Sequence, residues 1–385
     1  MKIKDRINIG RKAIMGNLTK NIGRSAPYNL AVMETVVIKK ILVVRPNARL
    51  GNQLLLTPLL QEITKTFPDC YIDVLVKGNL APLLFKNYKN IGQIIKLPQR
   101  PFNKPFTYIY KWICLKFTHY DIVINAVNNS ASGKLMTKLA WSHYKFFGYQ
   151  HHYPLSDDSL KHMAKIPVFD FRNCINRLGF EYNTASVPDL DIKLDQTEIN
   201  HGQAQLKKLV QNQKQTICLF TYATGQKCYS AVWWLKFYGK LSKEHSHYNF
   251  IEILPATNKS NIDNIIPVYY SDNVREIAAV IANCTLFIGA DSGIMHLASA
   301  SGIPTAGLFS CTDMEVYKPY NKNSIALNTN AITIEECVSI IQKRLKSAAS
   351  FQNMDDYIVK KKEKQLLATC KIRSIIPTGG TRDPK

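Results

Sequence analysis

The stretch Thr285-Leu-Phe-Ile-Gly-Ala-Asp-Ser-Gly-Ile-Met-His-Leu-Ala-Ser-Ala-Ser-Gly-Ile-Pro-Thr-Ala-Gly-Leu-Phe309 decides the architecture of this chain. It opens on a short apolar run of the kind buried in a parallel sheet. A tight turn of small and polar residues follows, and then a helical pattern over residues 295–301. Gly302 and Pro304 close that pattern before a second apolar run, 305–309. Strand, turn, helix and strand in this order make a βαβ unit. Ser292 and Gly293 stand where the free N–H groups of a helix start can receive a pyrophosphate. Asp291 either caps the helix or accepts from a ribose or sugar hydroxyl. His296, one turn in, either faces the same ligand or packs. The pattern alone leaves both a capped structural unit and a phosphate seat open.

The same alternation extends outward on both sides. Residues 216–221, 248–254 and 268–270 read as further strands, with helical patterns over 231–244 and 274–283. Upstream, residues 181–195 read as a linker and 159–178 as a helix. Before them another alternation runs through strands at 40–45, 71–76, 91–97 and 120–126. The helical pattern over 52–66 contains Pro58, which should kink or loosen it. Two such halves predict an α/β protein with parallel sheets and a cleft between them, with ligands bound beyond the carboxyl ends of the strands. The domain reading is a basic appendage at 1–35, α/β domains at 36–190 and 191–350, and a C-terminal helix with a basic tail at 351–385.

The length of 385 residues suits two such domains. No apolar run is long enough for a transmembrane helix, and no secretory signal opens the chain. Nine cysteines are scattered without a CxxC, which reads as reduced thiols in a cytosolic protein. The net charge of +22 is heaviest at the two ends. Residues 1–40 hold nine Lys/Arg against two acids, and residues 359–385 hold eight against two. Basic ends of this kind suit an anionic membrane face, and equally a solvated basic surface without a partner. They do not form one aromatic-interleaved stripe, so nucleic acid is not the expected partner. His151-His152 has no third ligand at a sensible spacing, and no metal site is expected. Trp233-Trp234 is expected to pack between elements. The absence of GxGxxG, GxSxG and Walker loops disfavours dinucleotide oxidoreductases, α/β-hydrolases and P-loop enzymes.

Three segments resemble glycosyltransferase family 9, the lipopolysaccharide heptosyltransferases. The family's donor turn reads D-S/T-G-x-x-H-L-A-A-x-x-G-x-P-x-x-x-L-F, and Asp291, Ser292, Gly293, His296, Leu297, Ala298, Gly302, Pro304, Leu308 and Phe309 match it. Arg275-Glu-Ile-Ala-Ala279 and Thr312-Asp313 extend the match. Arg45-Pro-Asn-Ala-Arg-Leu-Gly-Asn-Gln-Leu-Leu-Leu-Thr-Pro-Leu-Leu60 resembles the family's first loop and helix. Thr224, Gly225 and Lys227 match its phosphate-contacting loop, although Tyr229 and Ser230 replace the family's Trp and Pro.

The resemblance, over roughly residues 38–345, implies a GT-B fold: two Rossmann-like domains with parallel sheets facing a central cleft. It implies inverting, metal-independent transfer of a heptose or related sugar from a nucleotide-diphosphate donor, ADP-heptose-like, to a lipid-linked saccharide acceptor. The enzyme would be cytoplasmic and peripheral on the inner face of the bacterial membrane. Thr224, Gly225, Lys227, Asp291, Ser292, Gly293 and His296 would bind the donor, and Arg45 and Arg49 the acceptor side. Asn52 replaces the Asp that the family is proposed to use as general base, and a carboxamide cannot take a proton from a hydroxyl at neutral pH. Asp313 is the first substitute candidate. The family's Glu after the second strand is missing from Leu254-Pro-Ala-Thr-Asn-Lys259, which leaves base and sugar of the donor open. Three alternatives stand beside this reading. Leu50-Gly-Asn-Gln-Leu54 is also similar to a short fucosyltransferase motif. Asn52 suits a non-catalytic nucleotide-sugar binder, and charge alone supports a nucleic-acid binder.

Overall fold

The computed structural model describes residues 16–17, 19–22, 37–99, 105–127, 130–148, 161–254 and 259–346. The basic ends lie almost wholly outside the described residues, as does the His151-His152 pair.

The first alternation builds a parallel sheet from β1 (Lys40–Val44), β2 (Tyr71–Lys77), β3 (Ile91–Leu97), β4 (His119–Asn125) and β5 (Trp141–Phe146), in the order β3-β2-β1-β4-β5. β1 lies at the centre, pairing Val44 with Leu75 on one side and with Asn125 on the other. Its residues after Lys40 are buried on both faces, which is why Ile-Leu-Val-Val is continuous rather than alternating. β5 had no counterpart among the expected strands. Its Trp-Ser-His-Tyr-Lys-Phe is an edge strand with only Phe146 buried.

The second sheet is also parallel. It contains β6 (Thr216–Phe220), β7 (Asn249–Leu254), β8 (Val268–Tyr270), β9 (Leu286–Ala290), β10 (Thr305–Phe309) and β11 (Ile325–Asn328), in the order β11-β10-β9-β6-β7-β8. Strand order reverses between β1 and β4 in the first sheet and between β6 and β9 in the second. Crevices at the carboxyl ends of such pairs are where open α/β sheets bind ligands.

The helical pattern expected over 52–66 is two helices, α1 (Leu50–Leu54) and α2 (Thr57–Thr66). Pro58 falls in the first turn of α2, where its missing N–H leaves no bond unmade. Thr57 Oγ1 donates to Leu54 O at 2.8 Å across the break. Further helices among the described residues are α3 (Ala81–Leu84), α4 (Pro105–Cys114), α5 (Ala131–Leu139), α6 (Ile166–Asn176), α7 (Gln196–Val210), α8 (Ala231–Glu244), α9 (Val274–Ala282), α10 (Gly293–Ala300) and α11 (Met314–Tyr317). Trp234 of α8 is fully buried, whereas Trp233 is half-buried and stacks at 5.1 Å on Phe237 of the same helix.

The segment between the sheets is tied to both. Tyr88 Oη donates to Asp191 O at 2.6 Å and Gln61 Nε2 to Asp189 O at 2.9 Å. From the other side, Ile192 N donates to Ala300 O at 3.0 Å and Leu190 N to Tyr320 O at 3.1 Å. Arg275 of α9 reaches Leu83 O, Ile192 O and Lys193 O, and both carboxylate oxygens of Glu198. One buried guanidinium thus joins the second sheet's helix to the linker and to the first domain. From Glu335 onward the chain forms a second compact unit, helical to residue 346 among the described residues.

Candidate active site

The turn after β9 carries the strongest local signal. Ser292 is the N-cap of α10, and its Oγ accepts from Met295 N at 3.2 Å. That bond leaves the amides at the very start of the helix without a partner inside it, with the positive end of the helix dipole beside them. Asp291 is buried, and its Oδ2 accepts from Thr312 Oγ1 at 2.7 Å and from the Lys227 ammonium. Asp291 is therefore not the cap. It holds together three loops, those after β6, β9 and β10.

The loop after β6 arrives through Thr224 and a 3₁₀ turn, Gly225–Lys227. Gly225 has φ +67, a conformation that favours glycine, and a Cβ there would meet nothing within 4 Å. Thr224 and Gly225 are exposed, while Lys227 is partly covered and lies 5.9 Å from the Tyr317 ring centroid.

From the first domain comes the loop after β1. A Cβ on Gly51 would lie 2.6 Å from His296 Cδ2, and one on Gly293 would lie 3.0 Å from Leu50 Cβ. The two glycines thus allow the starts of α1 and α10 to meet. His296 is buried there, and burial pushes its imidazole down to about 4, against the opposing pull of Asp291. Its Nδ1 has no hydrogen-bond partner among the described residues.

Arg45 is the other buried group of this contact. Its Nη2 donates to Asn52 Oδ1 at 2.9 Å, while Nε and Nη1 have no partner among the described residues. Burial lowers its pKa to about 10, with Tyr317 nearby pulling the other way. A buried guanidinium with a neutral neighbour and two idle donors is expensive unless an anion completes it. Arg45 and Lys227, from different domains, both lie near Tyr317. The arrangement brings two cations and the start of a helix together between two α/β domains, a combination that can receive a polyanion.

The sequence description of glycosyltransferase family 9 (heptosyltransferase) matches residues 112–347, more than half of the chain. The chain belongs to this family. It is 23% identical to lipopolysaccharide heptosyltransferase 3 of Escherichia coli, over 71% of this chain and 85% of that protein. Among solved structures it is similar to a family 9 glycosyltransferase from Veillonella parvula (18% identity, TM-score 0.65, 82% of this chain and 99% of that one). It is also similar to the E. coli heptosyltransferase WaaC with ADP (17% identity, TM-score 0.60, 79% and 99%). The fold is GT-B and the protein is a glycosyltransferase.

Within this family 9 chain the structure brings together Arg45, Asn52, Lys227, Asp291, Ser292, Gly293 and His296. Arg49 stands apart from that cluster's hydrogen bonds: it is exposed at the N-cap of α1, its own amide donating to Asn47 Oδ1 at 2.9 Å. Asp313 is exposed and caps α11, accepting from Glu315 N at 2.9 Å. Thr312 and Tyr317 belong to the site, although nothing in their local pattern marks them beyond the Thr-Asp pair. One further trio, His119, Asp121 and His143, brings its ligand atoms within 4.8 Å of one another. It sits toward the amino ends of β4 and β5, away from the cleft, and Asp121 Oδ2 already accepts from Lys39 N and Lys40 N.

Proposed function

We propose that this family 9 enzyme moves a heptose or related sugar from an ADP-heptose-like donor to a lipopolysaccharide-type or other membrane-linked saccharide, with inversion and without a metal. The observation that carries the reading is Arg45: a buried cation with two idle donors, beside a helix start that also presents free amides. A nucleoside diphosphate is the anion whose charge and length suit both. The heptose follows from the family, and the adenine base from WaaC, which was solved with ADP.

In this mechanism the acceptor hydroxyl attacks the anomeric carbon while the bond to the diphosphate breaks. Positive charge develops on the sugar and negative charge on the departing oxygen. Amides of Gly293 and its neighbours, with Lys227 turning from Asp291 toward the phosphates, neutralise that oxygen. Two cations, Arg45 and Lys227, and a helix dipole can take the part that a metal plays in other transferases. Asp291, freed of Lys227, remains bonded to Thr312 and can accept from a donor hydroxyl.

Asn52 favours a second reading, a relative that binds nucleotide sugars without turning them over. Nucleotide release from ADP-heptose in the presence of an acceptor panel separates the two. Ser292→Glu places a carboxylate against the phosphates and should weaken donor binding at least tenfold, on the order of 1.4 kcal/mol. Calorimetry giving an unchanged affinity in the folded variant would remove the donor from this helix start.

A further inference from the structure

Helix α4 is also apolar on the side that faces away from the described elements of the fold. Tyr108, Trp112 and Leu115 cover the cluster formed by Leu42, Val44, Leu75 and Leu97 of the first sheet. The opposite face carries Phe106, Ile109, Tyr110 and Ile113, which are 85%, 52%, 61% and 49% exposed, and the line ends in Phe117, 79% exposed. The spacing is i, i+3, i+4, i+7 and i+11, so these side chains form one stripe and are not scattered. The stripe borders an apolar depression of about 300 Å³ that Leu139, the last residue of α5, helps to line. Trp141, 56% exposed, adjoins the end of this segment, its amide donating to Leu115 O at 3.3 Å. A contiguous apolar surface of this kind on one domain marks an interaction site.

Charge decides what it meets. Between Asp73 and Asp157 the chain carries eleven Lys/Arg and one carboxylate, Asp121, whose Oδ2 is bonded to backbone amides. Lys111 and Lys116 flank the stripe itself, and Lys138 stands on the neighbouring α5. Two copies of so basic a domain would repel each other if these faces met. Nucleic acid would satisfy the lysines and leave the phenylalanines in water. An anionic bilayer satisfies both: aromatic and aliphatic side chains enter the acyl boundary, and lysines meet the headgroups.

We propose that α4, with Phe117 and Trp141, is a membrane-insertion surface of the first domain, lying in the interface plane of an anionic lipid leaflet. This contact is separate from the basic ends of the chain. It does not depend on which sugar the donor carries. It places the acceptor-side domain on the surface where a lipid-linked saccharide is anchored.

The test is partitioning of the full chain onto vesicles of phosphatidylglycerol and phosphatidylcholine, against phosphatidylcholine alone, at 0.15 M and 0.5 M salt. High salt screens the basic ends and leaves the apolar contribution. At 0.5 M, Ile109→Ser/Ile113→Ser/Phe117→Ser should lower the partition coefficient at least tenfold while ADP affinity stays unchanged. If the triple variant misfolds, Phe117→Ser alone, at the most exposed end, should lower it severalfold. Equal partitioning of wild type and variants overturns the proposal. So does competition by duplex DNA that removes the wild type from vesicles at 0.5 M salt. A wild-type dimer that the same substitutions dissociate, with no vesicle binding by either form, also overturns it and assigns the stripe to self-association. None of these outcomes touches nucleotide release, so the transferase reading stands or falls separately.

Discussion

At residue 52 a carboxamide faces a buried guanidinium, and this pairing shapes the chemistry open to the cleft. An aspartate there would share charge with Arg45 at hydrogen-bond distance. Asn52 instead accepts one bond, at 2.9 Å, and leaves the charge of the guanidinium unneutralised. The acceptor proton must then reach another group. Asp291 is bonded to Lys227 and Thr312, whereas Asp313 offers an exposed carboxylate on the next loop. Its position as the cap of α11 makes a clean experiment possible. Asparagine caps as well as aspartate does, so Asp313→Asn should keep the bond to Glu315 N and remove only the charge. If Asp313 is the base, single-turnover rates should fall by about 10²–10⁴ with donor affinity little changed. Asn52→Ala should lower them far less. Wild-type turnover by Asp313→Asn would exclude this residue and leave another carboxylate or the donor diphosphate as the proton's destination.

Among the elements, α7 and α9 show how a helix contact can rest on one missing side chain. A Cβ on Gly202 of α7 would lie 2.2 Å from Ala279 O and 2.8 Å from Val280 N, both backbone atoms of α9 that cannot swing aside. Alanine is the better helix former by about 1 kcal/mol, so an isolated α7 would gain from Gly202→Ala. In the fold the helices must separate, and overpacking of this sort typically costs about 1–3 kcal/mol beyond that gain. Urea unfolding should show a lower midpoint at unchanged slope, and a raised midpoint would mean that the contact yields freely. Elements of this fold were legible in proportion to how fully they are buried. β1, β6, β9 and β10 are continuous apolar runs, and their sequences announce them. β5 is an edge strand of alternating aromatic and polar residues, and β11 is only four residues long, so neither pattern separates from a loop. The site divides the same way. Ser292, Gly293 and the Gly51 loop are local motifs with recognisable spacing. Tyr317 joins Arg45 and Lys227 only because a loop from the second sheet folds back over the first domain, a contact that no local window contains.

The whole molecule is held across its two sheets by contacts that include neutral histidines, and acid should loosen it there. His162 donates from Nε2 to Lys318 O at 2.8 Å and accepts at Nδ1 from Ala164 N, joining the segment before α6 to the loop after α11. His296 lies against Gly51 on the other side of the cleft. Burial holds both imidazoles near 4. Lys165 and Lys318 lower His162 further while Glu315 opposes them, and His296 is lowered by His162 and Lys227 and raised by Asp291. In the unfolded chain both titrate near their ordinary value of 6.5. As pH falls below that value the unfolded state takes up protons first, so it is favoured. The stability that these histidines confer is complete above pH 6.5 and lost as pH falls to about 4, at up to about 1.4 kcal/mol per pH unit for each. Glu198 acts in a lower window, because Arg275 holds its carboxyl at about 2 and its contribution is lost below the ordinary 4.5. Urea midpoints taken from pH 7 to 4 should therefore begin to decline near 6.5. His162→Gln, which keeps an amide donor for Lys318 O but has no ring to protonate, should flatten that decline by about one proton. A wild-type midpoint that is level from pH 6.5 to 4.5 would show that these imidazoles accept protons without cost in the fold, and that the two domains tolerate charge where they meet.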